Sequence, residues 1–204
     1  MKIVVVLNMS AGSLLGVPLD PLATAARAPF EAAGADVTVT AAPGVDIARV
    51  IARAADEADA VVVGGGDGTI LTAATLLLPT GKALGVLPLG TMNLLARDLG
   101  LPLEVGAAAA ALAAGSPRGI DIGEGPGAMC LSGTGRGGVA RLVRARDRSR
   151  RRWGVLRWGA LAIAGAKSLI SPTVLDVTIQ ADDGGPAIDR STPLLAVATA
   201  SGAA

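Results

Sequence analysis

The chain has 204 residues, 51% of them hydrophobic and 17% charged, with a formal net charge of +1; it can bury a sizeable core and is not a disordered polypeptide. It contains no histidine and a single cysteine, Cys130, which excludes histidine-based nucleophile pairs, histidine-ligated zinc and internal disulfides. Most of the positive charge lies in residues 136–167, so a basic surface, if the protein has one, is expected there.

The first 118 residues alternate strand-like and helix-like segments, which predicts an α/β domain with an open, Rossmann-like parallel sheet. Asp20 is expected to cap the first helix and Gly34 to end it. The predicted strands are 3–7, 37–40, 60–63 and 83–87, and the predicted helices are 20–33, 46–56, 69–78, 92–99 and 104–114. We place a domain boundary after residue 118.

Residues 119–204 are richer in short strand candidates and predict a second, β-rich domain. These candidates are Ile120–Ile122, Ala128–Leu131, 173–180 and 193–199, the last two expected to pair across a turn at 182–186. The sequence stops at Ala204, soon after a strand candidate, so we expect this domain to be incomplete. An unpaired edge at 193–199 would favour a homodimer.

A glycine-rich loop, Gly64-Gly-Gly-Asp-Gly-Thr69, joins the third predicted strand to the following helix. Glycine lets backbone amides approach a phosphate closely, and a helix N-terminus attracts anions. Asp67 beside an anion needs a cation, a water or a transferable proton between them, which suggests metal-assisted phosphoryl transfer. The structural alternative is a tight turn in which Asp67 caps the helix.

A second loop, Pro88-Leu-Gly-Thr-Met-Asn93, follows the fourth predicted strand and should lie at the same sheet edge. With Ala96-Arg97, the two loops resemble the GGDGT and PLGTxNxxAR signatures of the diacylglycerol kinase catalytic-domain family, which includes sphingosine and bacterial lipid kinases. The segment from Asn8 to Gly12 is similar to the family's loop after the first strand. Residues 120–123 resemble the beginning of its second domain.

The resemblance implies an ATP- and Mg²⁺-dependent kinase that phosphorylates a hydroxyl of a diacylglycerol- or sphingosine-like lipid. Asp67 would hold magnesium and is the best carboxylate available as a catalytic proton acceptor. Asn8 and Thr40, the latter expected at the end of the second strand, also have a simpler interpretation as loop caps. The implied nucleotide-binding residues are Asn8, Thr40, Gly65, Gly66, Asp67, Gly68, Thr69, Thr91 and Asn93.

Two departures from the family pattern keep alternatives open. Members usually follow GGDGT with x-Asn-Glu, whereas this chain has Ile70-Leu71-Thr72. The family's C-terminal acidic segment, which bears the residue usually assigned as proton acceptor, has no counterpart, so we expect this chain to phosphorylate lipid negligibly. The alternatives are a catalytically inactive nucleotide- or lipid-binding relic and a soluble NAD kinase.

The basic region combines arginines with two tryptophans and a following apolar stretch, which is typical of a segment that binds an anionic membrane surface. A solvated helix face is the simpler alternative, and nucleic acid is a rival partner that we do not expect. No run is long enough for a membrane span or a signal peptide, so we expect a cytoplasmic protein, peripheral at the inner membrane face. The arginines are Arg141, Arg144, Arg150, Arg151 and Arg152.

Overall fold

A computed structural model describes residues 1–12, 14, 18–125, 128–131, 134–137, 175–179, 188–192 and 194–197. Within these ranges, residues up to Leu131 belong to one compact unit and residues from Thr134 to Val197 belong to a second. The first unit therefore extends past residue 118. The domain boundary at that residue stays a prediction.

The first unit is built on a four-stranded parallel sheet, which confirms the predicted α/β fold. Its strands are β1 (Lys2–Asn8), β2 (Asp36–Ala42), β3 (Ala60–Gly65) and β4 (Ala83–Pro88). They are ordered β2-β1-β3-β4, so that Val5 of β1 lies opposite Val39 on one side and Val62 on the other. Because all four strands run in the same direction, their carboxyl ends form one edge of the sheet.

Helices cover both faces of the sheet, which is why the central strands β1 and β3 are almost continuously apolar, whereas the edge strand β2 contains alternating threonines. The helices are α1 (Leu19–Ala32), α2 (Ile47–Glu57), α3 (Asp67–Leu77), α4 (Leu94–Asp98) and α5 (Val105–Ala114). Along β1, Val4 and Val6 pack in the apolar layer of α2, α3 and α4, while Ile3, Val5 and Leu7 pack in the layer of α1 and α5.

The ends of α1 and α5 are fixed by different devices. The N-cap of α1 is Pro18, so the prediction that Asp20 caps this helix is wrong; Asp20 lies in its first turn. Gly34 follows the helix with a φ of 83°, a left-handed conformation that glycine adopts without strain. The carboxylate of Glu104 caps α5 by accepting hydrogen bonds from the amides of Gly106 (2.8 Å) and Ala107 (2.6 Å), which lower the pKa of Glu104.

Two short strands, β5 (Gly123–Gly125) and β6 (Ala128–Cys130), pair antiparallel after α5. The second confirms the strand predicted at 128–131. The strand predicted at Ile120–Ile122 is wrong, because the ladder begins at Gly123 and Ile120 instead packs against the layer of α2 and α3. Among the described helices, none is both long and apolar enough to cross a membrane.

The second unit contains β7 (Thr134–Gly137), β8 (Leu175–Ile179), β9 (Ile188–Thr192) and β10 (Leu194–Val197). The pairing predicted between 173–180 and 193–199 is wrong: β8 pairs with β9, and β10 pairs with β7. A partner nearer in sequence closes a shorter loop at lower entropic cost, which favours β9. The turn predicted at 182–186 lies outside the described residues.

Candidate functional site

The loops after β3 and β4 meet at the carboxyl edge of the sheet. The amide of Leu89 donates to the carbonyl of Gly65 at 3.0 Å. A Cβ atom on Gly90 would lie 2.5 Å from the Cα of Gly66, so the two backbones touch with no room for a side chain. The sequence prediction that both glycine-containing loops share one edge is therefore confirmed.

Asp67 joins these loops through its side chain. It is the first residue of α3, whose N-cap is Gly66, so the alternative in which Asp67 caps its own helix is wrong. Its Oδ1 instead accepts a hydrogen bond of 2.6 Å from the amide of Leu94, the first residue of α4. Its Oδ2 has no hydrogen bond to any described residue, which leaves one carboxylate oxygen available to a ligand.

The N-terminus of α3 presents amide donors beside open space. The amides of Thr69 (2.8 Å) and Ile70 (3.0 Å) donate to the carbonyl of Gly66, whereas those of Asp67 and Gly68 find no acceptor in the described part of the chain. A Cβ atom placed on Gly68 would meet no atom within 4 Å. Unpaired amides, a helix N-terminus and free space together suit a phosphate group.

Asn8 lies at the end of β1 and links three loops. It is only 8% exposed. Its Nδ2 donates to Oγ1 of Thr69 at 2.8 Å, and its Oδ1 accepts from the amide of Ser10 at 2.9 Å. The hydroxyl of Ser10 in turn accepts from the amide of Gly44, in the loop between β2 and α2, at 2.9 Å. The structure thus brings Asn8 and Thr69 together, as their shared assignment to one site predicts.

The side chain of Asn93 bonds to the backbone of its own loop, the one after β4. It has a φ of 51° and a ψ of 48°, the left-handed conformation that asparagine tolerates better than most residues. Its Oδ1 accepts from the amide of Gly90 (2.8 Å) and its Nδ2 donates to the carbonyl of Gly90 (3.0 Å). The polar groups of Asn93 are therefore engaged inside the loop. Thr91 is exposed and stays a candidate for direct ligand contact.

Thr40 is the candidate residue that stands apart. It lies opposite Val6, two positions before β2 ends at Ala42, so the expectation that it occupies the strand end is wrong. The side chain of Thr40 makes no hydrogen bond within the described residues.

The predicted membrane-binding arginines at 141–152 lie outside the described residues, so the surface that they form stays a prediction.

This edge of the sheet contains one carboxylate that could hold a magnesium ion. In the described ranges, no three histidine, cysteine, aspartate or glutamate side chains come together as a metal site. Magnesium is commonly bound by one or two carboxylates together with phosphate oxygens and water. The free oxygen of Asp67 could provide one such carboxylate ligand beside the open space at Gly68.

Two features of the site were not found from the sequence. The first is the hydrogen bond by which the amide of Ser10 orients the side chain of Asn8. The sequence contained a signal for it, because an asparagine side chain often accepts from the backbone amide two residues later. The amide of Leu94 as the partner of Asp67 had no signal, since 27 positions separate the two residues.

The fold and site define an α/β domain whose strand-end loops can hold a phosphate-bearing ligand. Its sequence matches the model for the diacylglycerol kinase catalytic domain over residues 2–124, more than half of the chain. The chain belongs to this family.

Individual relatives agree with this assignment. The chain is 43% identical over 74 residues to a Pseudomonas syringae protein named "Probable lipid kinase YegS-like", and 36% identical over 119 residues to "Diacylglycerol kinase" of Bacillus subtilis. The matches cover 35% and 56% of this chain, and 24% and 39% of those proteins. The chain thus spans well under half the length of these relatives.

A crystal structure of a Bacillus anthracis diacylglycerol kinase has the same fold. It superposes with a TM-score of 0.68 at 22% sequence identity, over 96% of this chain and 61% of that one.

Proposed function

We propose that this protein is a lipid kinase that binds ATP with magnesium at the loops after β3 and β4 and transfers the γ-phosphoryl group to a lipid hydroxyl. The observation that carries this proposal is the junction of the two loops, where Asp67 bonds to Leu94 beside the open N-terminus of α3. The lipid acceptor is supported by the family and by the names of the relatives, and a diacylglycerol- or sphingosine-like lipid is the proposed class.

The proposed chemistry relies on positioning and on neutralising charge. The amides of Asp67 and Gly68 would hold phosphate oxygens in the orientation that the helix imposes. Magnesium bound with the nucleotide would neutralise phosphate charge. Because Oδ1 of Asp67 is engaged by Leu94, its single free oxygen serves either the metal or the proton of the acceptor hydroxyl, and we assign it to the metal.

The acceptor lies in a membrane, and the arginines of the basic region are our proposed contact with it. A guanidinium group binds the phosphates of anionic lipids, and tryptophans such as Trp153 and Trp158 favour the interfacial layer. A cytoplasmic location with peripheral binding to the membrane follows from this proposal.

The test is transfer of radiolabel from γ-labelled ATP by the protein at its natural length. The acceptors are vesicles containing diacylglycerol, vesicles containing sphingosine, and NAD. We expect label in one of the lipids, its loss in Asp67→Asn and its retention in Asp56→Asn, a matched exposed carboxylate on α2. Label in NAD alone, or in no acceptor while ATP still binds, would contradict the proposal and support a soluble NAD kinase or an inactive relic.

A further inference from the structure

Three threonines on α3 use their hydroxyl groups differently. Thr72 donates to the carbonyl of Gly68 and Thr75 to the carbonyl of Leu71, each at 2.9 Å, which is the usual bond from a helical threonine to the preceding turn. The hydroxyl oxygen of Thr69 instead accepts a hydrogen bond from Asn8. Within the described residues, the hydroxyl hydrogen of Thr69 has no acceptor.

The direction of the bond between Asn8 and Thr69 is set by a backbone amide. The amide of Ser10 can only donate, so the side-chain atom of Asn8 that faces it at 2.9 Å must be the oxygen. The amide nitrogen of Asn8 then faces Thr69 and donates to it at 2.8 Å. Since that nitrogen cannot accept, the hydroxyl hydrogen of Thr69 must point elsewhere.

Gly65 makes this arrangement of Thr69 sterically possible. A Cβ atom on Gly65 would lie 2.5 Å from the Cβ of Thr69 and 2.9 Å from its Oγ1. The carbonyl of Gly65, the acceptor four residues before Thr69, already accepts from the amide of Leu89 at 3.0 Å. The hydroxyl of Thr69 lies in the first turn of α3, the turn that also contains the unpaired amides of Asp67 and Gly68.

We infer that Asn8 is a positioning residue that makes the hydroxyl of Thr69 a donor to a phosphate oxygen of the nucleotide. Asn8 then acts on the ligand through Thr69 and not by direct contact. This inference rests on the proposed function, because it requires a phosphate group at the N-terminus of α3. On this inference, the effect of Asn8 on the ligand depends wholly on Thr69.

The test is a double-mutant cycle on the affinity for the magnesium complex of a non-hydrolysable ATP analogue, measured by calorimetry. A hydrogen bond to a charged group predicts that Thr69→Val weakens binding by about 10- to 100-fold. Asn8→Ala should weaken it several-fold in the wild-type background and have no further effect when combined with Thr69→Val. Thr69→Ser keeps the hydroxyl that Thr69→Val removes. This variant should therefore retain both the wild-type affinity and the weakening that Asn8→Ala causes.

Controls separate this role from a general effect on the fold. Thr75→Val removes a hydroxyl from the same helix and should leave the affinity unchanged. Melting curves identify variants that fail to fold, and Asn8→Ser, which keeps a small polar side chain, replaces Asn8→Ala if that variant does not fold. Losses that multiply in the double variant would overturn the inference while leaving the proposed function intact. Absence of binding by the wild type would overturn the proposed function itself.

Discussion

Gly68→Ala is expected to separate the stability of the fold from its ability to bind phosphate. Gly68 is the second residue of α3, and a Cβ atom there meets no atom within 4 Å. Alanine is favoured over glycine within a helix by about 0.5 to 1 kcal/mol, and the lower value suits the first turn. In a chain of this size, about 0.5 kcal/mol raises the melting temperature by about 1 to 2 °C.

The same methyl group should weaken nucleotide binding. In a helix the Cα–Cβ bond tilts toward the N-terminus, so the methyl group would stand beside the amides of Asp67 and Gly68. Loss of one hydrogen bond to a charged group costs about 1.5 to 3 kcal/mol, and a loss near the upper end of this range, about 2.7 kcal/mol, weakens affinity by about 100-fold. At a concentration 100 times the wild-type Kd, ligand stabilisation would fall from about 2.7 to about 0.4 kcal/mol.

The assay is thermal unfolding with and without the magnesium complex of ATP. Gly119→Ala is the matched control, because Gly119 also faces open space but lies outside both loops. We expect Gly68→Ala to melt slightly above the wild type without ligand and to lose most of the ligand-induced shift. An undiminished shift in Gly68→Ala would refute the placement of phosphate at α3, and a lower melting temperature without ligand would refute the open space at Gly68.

Three further predictions concern the loop junction, a helix cap and the membrane. Gly90→Ala should destabilise the fold by about 1 to 3 kcal/mol in chemical denaturation, because its Cβ atom would press on the backbone of Gly66. The lowered pKa of Glu104 stabilises the fold above the ordinary glutamate pKa of about 4.3, and this contribution disappears as the pH falls through the lowered value. The melting temperature of Glu104→Gln should therefore fall less than that of the wild type as the pH is lowered through this range. Arg150→Glu/Arg151→Glu/Arg152→Glu should reduce sedimentation with anionic liposomes, and equal sedimentation would favour a solvated surface.

The sheet and the meeting of its two loops were predictable because local patterns determine them. Buried strands appear as short apolar runs such as 3–7 and 60–63, and parallel strands bring their carboxyl ends to one edge whatever the details of packing. The pairing of β8 and β10 was not predictable in the same way. Alternation along a strand shows which residues share a face but does not identify the partner strand.

The hydrogen bonds of the site could not be predicted from the sequence, for a related reason. The bonds from Leu94 to Asp67 and from Asn8 to Thr69 join residues 27 and 61 positions apart. They form where glycines allow close approach, at Gly66 and Gly90 between the two loops and at Gly65 beside Thr69. The sequence indicated which residues gather at the edge. It offered a loop cap as one interpretation of Asn8, but it did not indicate that both polar groups of Asn93 would bond to Gly90.

The most direct test of the account is an amide NMR titration of the chain with the magnesium complex of ATP. The account predicts that the largest shift changes fall on the amides of Asp67 and Gly68, with further changes in the loop containing Thr91 and little change at the opposite end of the sheet. Binding that perturbs other residues and leaves Asp67 and Gly68 unchanged would contradict the central claim that these strand-end loops hold the nucleotide.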